Sequence, residues 1–339
     1  MNSFGRWFRI SIYGESHGVE LGIIVDGCPA GIPLGIADFG PDLRRRKGGA
    51  RGTTARVEKD LPEIRSGVFR GCTTGTPITI GFGNADQKSE DYEITGAVPR
   101  PGHADWVAWK KFGGFQDYRG GGHFSGRLTL GLVAAGVIAK KLIRPVKVEA
   151  SLREAGGSAD VSDVVDRAMA EEDSVGGIVE CRSANVPAGL GEPFFDSAES
   201  LISHLIFSIP AVRGVEFGDG FVAALMKGSG HNDAIIDIGG KTRTHHAGGI
   251  NGGITNGNPL LFRVAVKPTP SIGRPQRSIH LGTGRMVNLK IRGRHDACIA
   301  LRMPVIVEAA TAIVLADLML GEQRIARVSK RKGTRILGK

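Results

Sequence analysis

Along much of the chain, apolar and polar residues alternate in short runs, a pattern typical of half-buried antiparallel strands. Four longer segments instead carry apolar residues at helical spacing and end close to Pro or Gly. Two of these four are apolar on nearly every face, which predicts that they lie in a core between layers. The predicted strands are 8–13, 21–27, 77–82, 146–152, 177–186, 260–267 and 286–293, and the predicted helices are 127–143, 162–172, 196–208 and 304–320.

Capping residues predict where two of these helices begin. Ser162 stands at the start of the second helix, where a hydroxyl can cap the first turn. Asp196 and Glu199 have capping-box spacing at the start of the third helix. We therefore expect these residues to cap the free backbone N–H groups there.

The order of elements indicates one α+β domain followed by a basic tail. The 339 residues contain neither a repeat of fixed period nor a Pro/Ser-rich linker, so residues 1–323 are expected to form a single domain. Residues 324–339 contain seven Lys or Arg and no acid, and they account for most of the net charge of +10. We expect this tail to be a solvated, mobile end. A basic nucleic-acid-binding protein is the alternative, although interleaved aromatic residues and a known reading module are missing from the sequence.

The sequence G-E-S-H-G at 14–18 has the form of a serine-hydrolase nucleophile elbow, which requires a strand before it and a helix after it. Here the residues that follow read as a second strand, which argues against Ser16 as a nucleophile. His17 is the stronger candidate, since two further histidines, His103 and His295, also lie in dense polar turns. Histidine can transfer protons near neutral pH. No Cys/His cluster has metal-binding spacing, so no metal site is predicted.

Three segments are rich in Gly and basic residues and are candidates for binding anions. Residues 43–56 hold six positive residues and no acid, and Arg binds carboxylate and phosphate oxygens in pairs. Residues 117–132 run from a triple glycine into a helix, whose exposed N–H groups suit a phosphate. Residues 245–272 combine Gly/Asn turns with a Lys-Pro-Thr-Pro-Ser run that can surround a planar or phosphorylated ligand. Each segment alone is also compatible with an ordinary surface loop.

Taken together and in this order, these segments resemble the chorismate synthase family. The resemblance extends from about residue 5 to residue 320, and it implies a sandwich of antiparallel β-sheets around central helices. The matching segments are YGESHG, GIPL, DLRRRKGGARGTTARVEKD, RPGHADW, DYRGGG, IPAVRGVEFGDGF, HHAGGINGGITNG, KPTPSI and GRHDACIALRMPVIVEAATAIVLAD.

The resemblance implies a carbon–oxygen lyase of the shikimate pathway of aromatic amino-acid biosynthesis. 5-Enolpyruvylshikimate 3-phosphate would lose phosphate and one ring hydrogen in an anti-1,4 elimination that gives chorismate. The family requires reduced FMN, although the reaction has no net redox change. The resemblance also implies a cytoplasmic homotetramer associated with NADP. Since the sequence has no additional region for a flavin reductase, reduced FMN is expected from a separate reductase.

The resemblance also assigns roles to individual residues. His17 corresponds to the histidine that protonates the departing phosphate, and His103 to the one facing the flavin N1 side. Asp296 corresponds to the carboxylate near flavin N5, which helps that nitrogen take up the substrate proton. Arg45 and Arg51 correspond to arginines that bind substrate or cofactor anions. The implied FMN contacts are His123, Phe124, Ser125, Ala211, Gly252, Lys267, Pro268, Thr269, Pro270, Ser271 and Arg294.

This sequence departs from the usual family pattern at two places. His123-Phe124-Ser125 stands where Arg-Ser-Ser is common, and Lys47 stands where proline is common. Neither departure affects the three proposed acid/base positions.

Overall fold

Two antiparallel sheets form the outer layers of the protein. The structure is a computed structural model that describes residues 2–55, 58–84, 93–291 and 295–325. The first sheet has five strands in the order β1-β2-β3-β7-β4, and the second has four in the order β10-β13-β9-β8. Three two-stranded ribbons, β5/β6, β11/β12 and β14/β15, complete the strands of the described residues. The strands are β1 Ser3–Phe4, β2 Arg9–Gly14, β3 Glu20–Asp26, β4 Glu63–Ile64, β5 Val68–Phe69, β6 Cys72–Thr73, β7 Ile78–Gly83, β8 Lys147–Ala155, β9 Gly177–Ala184, β10 Val212–Phe217, β11 Ile250–Asn251, β12 Ile254–Thr255, β13 Leu260–Val266, β14 Gln276–Ile279 and β15 Met286–Leu289.

Two apolar helices fill the space between the sheets. α4 packs against β3 of the first sheet, α8 packs against β8 and β9 of the second, and the two helices pack on each other. Nearly every residue of both helices is buried, as their uniformly apolar sequences predict. The helices are α1 Gly40–Arg46, α2 Glu93–Ala97, α3 Asp105–Phe112, α4 Thr129–Leu142, α5 Val161–Ala170, α6 Ala198–Phe207, α7 Gly228–His231 and α8 Met303–Gly321.

A glycine allows the two central helices to approach closely. A Cβ placed on Gly136 of α4 would lie only 2.3 Å from the Cβ of Ala309 on α8. On the opposite side of α4, a Cβ on Gly131 would lie 3.2 Å from the carbonyl oxygen of Gly22 on β3. α4 is therefore in close backbone contact with both of its neighbours.

The expected fold is confirmed, with shifts at the ends of elements. The seven predicted strands and four predicted helices each correspond to an observed element, and the antiparallel sheets enclose central helices. Both predicted caps were wrong. Ser197, not Asp196, caps α6 by accepting from the Ser200 N–H, and Asp196 forms an ion pair with Arg6 instead. Asp160 caps α5, because its carboxylate accepts the Asp163 N–H one turn into the helix.

One segment of the described chain, Ile299–Gly321, is long and apolar enough to cross a bilayer by length and composition. In the structure 83% of its most apolar window is buried within the protein. It serves as the core helix α8 together with the turn that precedes it.

Candidate active site

A cavity of about 940 Å³ opens where the loops between the two sheets meet. This volume is at the upper end of the range that ligand sites usually have. Its walls come from the 14–18 turn, the end of α1, the triple-glycine segment, the start of β10 and residues 267–271 and 295–302. The segments that the sequence marked as anion-binding candidates therefore meet around one cavity.

The triple-glycine segment fits against the turn that contains His17. The Ser16 N–H donates to the Gly122 carbonyl at 3.2 Å, and His123 Nδ1 donates to the Gly14 carbonyl at 2.9 Å. Gly120 has a left-handed φ of 58°, and a Cβ there would lie 2.2 Å from Cε1 of His17. His17 is buried directly behind Gly120, and Gly120 and Ser16 both line the cavity. Only glycine permits this approach, which explains the residue type.

His103 lies on the other side of the same glycine segment. A Cβ on Gly121 would lie 3.2 Å from its Nε2, while its Nδ1 is 2.6 Å from Asp105 Oδ1. Burial alone would raise the pKa of Asp105, but hydrogen bonds from Arg100 and His103 outweigh it and hold that pKa well below the usual range. Asp105 is therefore ionised, and His103 Nδ1 carries the hydrogen that it donates. Burial and the Arg100 charge lower the pKa of His103, so the ring is neutral at pH 7 with its Nε2 unprotonated.

Asp296 is held from two sides at the edge of the cavity. Its Oδ1 accepts the Thr54 N–H at 2.9 Å, and its Oδ2 accepts from Arg302 at 2.5 Å. Thr54 belongs to the basic 43–56 segment, so this segment contacts the carboxylate through its backbone. The two bonds fix the orientation of a carboxylate that is only 8% exposed.

Arginines that the sequence analysis did not single out surround these groups. Asp60 links two of them, with its oxygens 3.6 Å from Arg46 and 2.9 Å from Arg127. Burial and the charges of Arg302 and Arg127 lower the pKa of Arg46 to about 9. Arg127 also donates to Asn84 Oδ1 at 2.7 Å, and the Asn84 amide donates to the carbonyls of Glu15 and Gly18. The basic cluster is thus bonded to the turn that carries His17.

Positive charge exceeds negative charge in the cavity wall. Among the described lining residues, the acids are Glu58, Asp60 and Asp296, and each is already paired with an arginine. The basic lining residues are more numerous, and the environment therefore favours a polyanionic ligand. They are Arg46, Lys47, Arg100, Arg127, Arg213, Lys267 and Arg302.

Most of the residues expected at the site do line the cavity. They are His103, His123, Phe124, Ser125, Ala211, Lys267, Thr269, Pro270, Ser271 and Asp296. Arg45 does not, because it extends towards Glu308 on α8, whereas the adjacent Arg46 turns into the cavity. Arg51 is exposed and pairs with Asp166, and Gly252 lies in the β11–β12 turn away from the lining. His17, buried behind Gly120, and Pro268 do not line the cavity, and Arg294 lies outside the described residues.

The structure gives no support to Ser16 as a hydrolase nucleophile. β2 and β3 pair antiparallel on either side of the 14–18 turn, so a strand rather than a helix follows the motif. The Ser16 side chain is fully buried. The geometry of a nucleophile elbow is therefore absent from this segment.

Two buried polar atoms of the cavity wall have no hydrogen-bond partner within the described part of the chain. They are Thr269 Oγ1 and Arg302 Nε. An unpaired buried polar atom costs free energy, so such atoms at a cavity wall indicate where a polar ligand binds. A hydroxyl and a guanidinium beside a positively charged wall suit a phosphorylated, hydrogen-bonding ligand. The described residues form no group of His, Cys, Asp or Glu placed to hold a metal ion.

Comparisons with known proteins agree on one family. The chorismate synthase family model matches residues 8–320. A chorismate synthase from Chitinophaga pinensis is 61% identical over 331 residues, which cover 97% of this chain and 100% of the relative. One from Thermococcus kodakarensis is 46% identical, covering 93% and 97% of the two chains. A crystal structure of chorismate synthase superimposes with a TM-score of 0.70 and 28% identity, covering 94% of this chain and 93% of the other.

Proposed function

Since the chain belongs to the chorismate synthase family of carbon–oxygen lyases, we propose that its cavity converts 5-enolpyruvylshikimate 3-phosphate to chorismate in the presence of reduced FMN. The reaction is an anti-1,4 elimination. One ring C–H bond and the C–O bond to phosphate break, and a new ring double bond forms. The phosphate departs with the electron pair of its C–O bond. Atoms and electrons therefore balance when the ring hydrogen leaves as a proton, and the reaction has no net redox change.

The observation that carries this proposal is the excess of positive charge around His103 and Asp296. The substrate has two carboxylates and a phosphate, and FMN has a further phosphate. Seven basic residues line the cavity, against three carboxylates that are already paired. Fixed positive groups in a partly enclosed site stabilise a departing phosphate more strongly than water does.

The cavity also fits the flavin. Thr269 Oγ1 and Arg302 Nε have unused hydrogen-bonding capacity, and the residues that would hold the cofactor are His123, Phe124, Ser125, Ala211, Lys267, Thr269, Pro270 and Ser271. When bound, reduced FMN supplies an electron-rich ring system beside the substrate. Gly252 and Arg294 complete the proposed set, although Gly252 does not line the cavity and Arg294 lies outside the described residues.

The described geometry supports separate roles for three residues. His17, beneath Gly120, is the proposed proton donor to the departing phosphate. His103 keeps its hydrogen on Nδ1 through Asp105 and presents Nε2 as an acceptor. Asp296, held by Thr54 and Arg302, is the proposed carboxylate of the cavity wall near which a proton is taken up. Arg46 and Arg127 are the arginines best placed to bind substrate anions, with Arg45 and Arg51 in supporting positions outside the lining.

The test is an anaerobic assay with purified protein, reduced FMN and 5-enolpyruvylshikimate 3-phosphate. Chorismate absorbance and released phosphate should rise together in equal amounts, and only when reduced flavin is present. Turnover without flavin would contradict the cofactor assignment. A folded protein that gives no chorismate would contradict the reaction.

We also propose that residues 1–323 are sufficient for activity and that the basic tail is not part of the site. The tail contacts the domain at its start, where Arg324 donates to the Ala188 carbonyl at 3.2 Å. Deleting 324–339 removes this hydrogen bond, and the truncated protein should still retain turnover. A nucleic-acid-binding protein would instead lose polyanion affinity and its function together.

We further propose a cytoplasmic homotetramer that receives reduced flavin from a separate NADP-linked reductase. Large apolar side chains are strongly exposed on the segment after β10, among them Phe221 at 85%, Leu225 at 87% and Ile238 at 108%. Several large exposed apolar side chains on one segment are unusual for a monomer, which supports an oligomer. Light scattering of the full chain would measure the number of subunits.

A further inference from the structure

Asn84 closes the turn that carries His17. The residue follows β7, and its N–H donates to the Val19 carbonyl at 3.2 Å, which extends the pairing of β7 with β3 by one residue. Its side-chain amide donates to the carbonyls of Glu15 and Gly18 at 3.1 and 2.8 Å. These two carbonyls stand before and after His17 in the chain. One amide group therefore holds both ends of the turn.

Arg127 fixes the orientation of this amide. Its Nε donates to Asn84 Oδ1 at 2.7 Å. A guanidinium can only donate and a backbone carbonyl can only accept, so the amide oxygen faces Arg127 and the amide nitrogen faces the turn. Arg127 is itself held by Asp60 at 2.9 Å, and both side chains are buried. The amide thus connects a buried ion pair to the turn that carries His17.

The other side of the turn rests on the triple-glycine segment. The Ser16 N–H donates to the Gly122 carbonyl, and a Cβ on Gly120 would lie 2.2 Å from Cε1 of His17. The His17 side chain is buried against the Gly120 backbone. Because the ring is so closely confined, its position relative to the cavity depends on the position of the turn.

Asn84 does not line the cavity, so an effect on the reaction has to pass through the groups that its amide holds. Without this amide, Arg127 keeps its ion pair with Asp60. The carbonyls of Glu15 and Gly18 instead lose the donor that they share. Removal of the amide therefore acts mainly on the turn.

We infer that Asn84 is a positioning residue for His17, and that its amide sets the place from which His17 delivers a proton to the departing phosphate. This inference rests on the proposed function, because that function makes His17 the proton donor. A displacement of about 1 Å in a reacting group can cost about 100-fold in rate. Since Asn84 acts through backbone carbonyls, no charged or nucleophilic motif marks it in the sequence.

The first test compares turnover with substrate affinity. In Asn84→Ala, kcat should fall roughly ten- to hundred-fold while KM for 5-enolpyruvylshikimate 3-phosphate changes little. Asn84→Asp keeps an oxygen that accepts from Arg127 but lacks both N–H donors, so its kcat should fall as well. This variant has nearly the same volume and also serves if Asn84→Ala does not fold. Asn185→Asp is the matched control, because the Asn185 amide donates to the Pro145 carbonyl outside the cavity lining.

Two outcomes of this test would overturn the inference. Wild-type kcat in Asn84→Asp would assign the role to the Arg127 contact alone. A raised KM with wild-type kcat would place Asn84 in substrate binding rather than in the positioning of His17.

A double-mutant cycle distinguishes positioning from a general structural effect. In a His17→Asn background, Asn84→Ala should cause no further loss of kcat, because the residue acts through His17. If the two losses multiply, Asn84 affects turnover by another route and the inference is wrong.

A readout that needs no turnover separates this inference from the proposed function. The imidazole Hε1 NMR signal of His17 in the flavin-free full chain should shift in both Asn84 variants and stay unchanged in Asn185→Asp. If the wild type makes no chorismate although this signal shifts, the proposed function is wrong and Asn84 still positions His17. An unchanged His17 signal in both Asn84 variants would overturn the inference whatever the activity.

Discussion

At the residue scale, neighbouring side chains of the basic 43–56 segment have different functions. Arg45 pairs with Glu308 in the interior, Arg46 lines the cavity and Arg51 pairs with exposed Asp166. Successive residues of a helix point about 100° apart, so adjacent arginines on α1 cannot face the same partner. The sequence indicates that the segment binds anions, but the direction in which each arginine side chain points depends on how α1 packs against α4 and α8. That packing is a property of the folded chain.

The proton-transfer assignments give the first prediction. His17→Asn and Asp296→Asn should fold normally and lose roughly 10²–10⁴ in kcat, the usual contribution of a general acid or base. Single-turnover phosphate release with reduced FMN measures the loss. His280→Asn is a control, because His280 follows β14 and does not line the cavity. Wild-type turnover in either variant would remove that residue from the mechanism.

Asp105 gives a second prediction, as a positioning residue for His103. Burial lowers the His103 pKa most; the hydrogen bond and charge of Asp105 raise this pKa, and the Arg100 charge lowers it further. In Asp105→Asn the His103 pKa should therefore fall further, and the favoured Nδ1–H tautomer should be lost. We expect a roughly ten- to hundred-fold loss of kcat, part of what a proton-transfer group contributes.

An NMR titration of the imidazole signals with pH tests directly whether the His103 pKa falls in this variant. The His103 midpoint should move to lower pH in Asp105→Asn and stay unchanged in Asp163→Asn. The latter removes only an exposed ion pair with Arg167 on α5. A midpoint that rises would show that the carboxylate does not stabilise the protonated ring.

At the element scale, long periodic segments were predictable and short irregular ones were not. α4 and α8 were evident because their apolar residues occupy nearly every position. β10 was not predicted, since Gly214 and the bulge at Arg213 interrupt its alternation. The triple-glycine segment was identified as a ligand site, but its contacts with His17 and His103 come from backbone conformations with positive φ. Glycine permits these conformations without specifying them.

The crossing of the central helices gives a prediction at this scale. Gly136→Ala places a methyl group 2.3 Å from the Ala309 Cβ, so α4 and α8 must separate. The gain of about 1 kcal/mol in helix propensity is smaller than the cost of overpacking, typically about 1–3 kcal/mol. We expect a net loss of stability in chemical denaturation.

A second glycine provides the matched control for that measurement. Gly230 lies in α7 with no atom within 4 Å of an added Cβ, so Gly230→Ala should be neutral or slightly stabilising. If Gly136→Ala were as stable as this control, the close crossing of the two helices would be incorrect.

At the scale of the whole molecule, one buried carboxylate connects both halves of the sandwich. Glu308 on α8 accepts from Arg45 on α1 at 2.6 and 2.7 Å, from Lys140 on α4 at 2.8 Å and from the Ala150 N–H on β8 at 3.0 Å. The sequence showed an acid within an apolar helix, and only the tertiary structure supplies its partners from three other elements. This network also explains why Arg45, which the resemblance assigned to anion binding, does not line the cavity.

The pH dependence of stability follows from this network. Burial alone would raise the Glu308 pKa, but the hydrogen bond from Arg45 and the charge and hydrogen bond of Lys140 outweigh it, and the pKa is lowered. A carboxyl with a lowered pKa stabilises the fold above its unfolded pKa of about 4.5. This stability is lost as the pH falls through the lower folded value. Glu308→Gln should therefore cost stability at pH 7 and progressively less below pH 4.5.

The size of the stability loss in Glu308→Gln depends on the two cations that are left without their carboxylate. Arg45 and Lys140 are partly exposed and can be rehydrated, so we expect a loss of about 2–3 kcal/mol, below the 3–5 kcal/mol typical of fully buried pairs. Urea denaturation at pH 7, 5 and 4 would measure it, with Asp166→Asn as the control for an exposed pair. A difference from wild type that grows as the pH falls would contradict the sign, because it would require Glu308 to stabilise the protein in its protonated form.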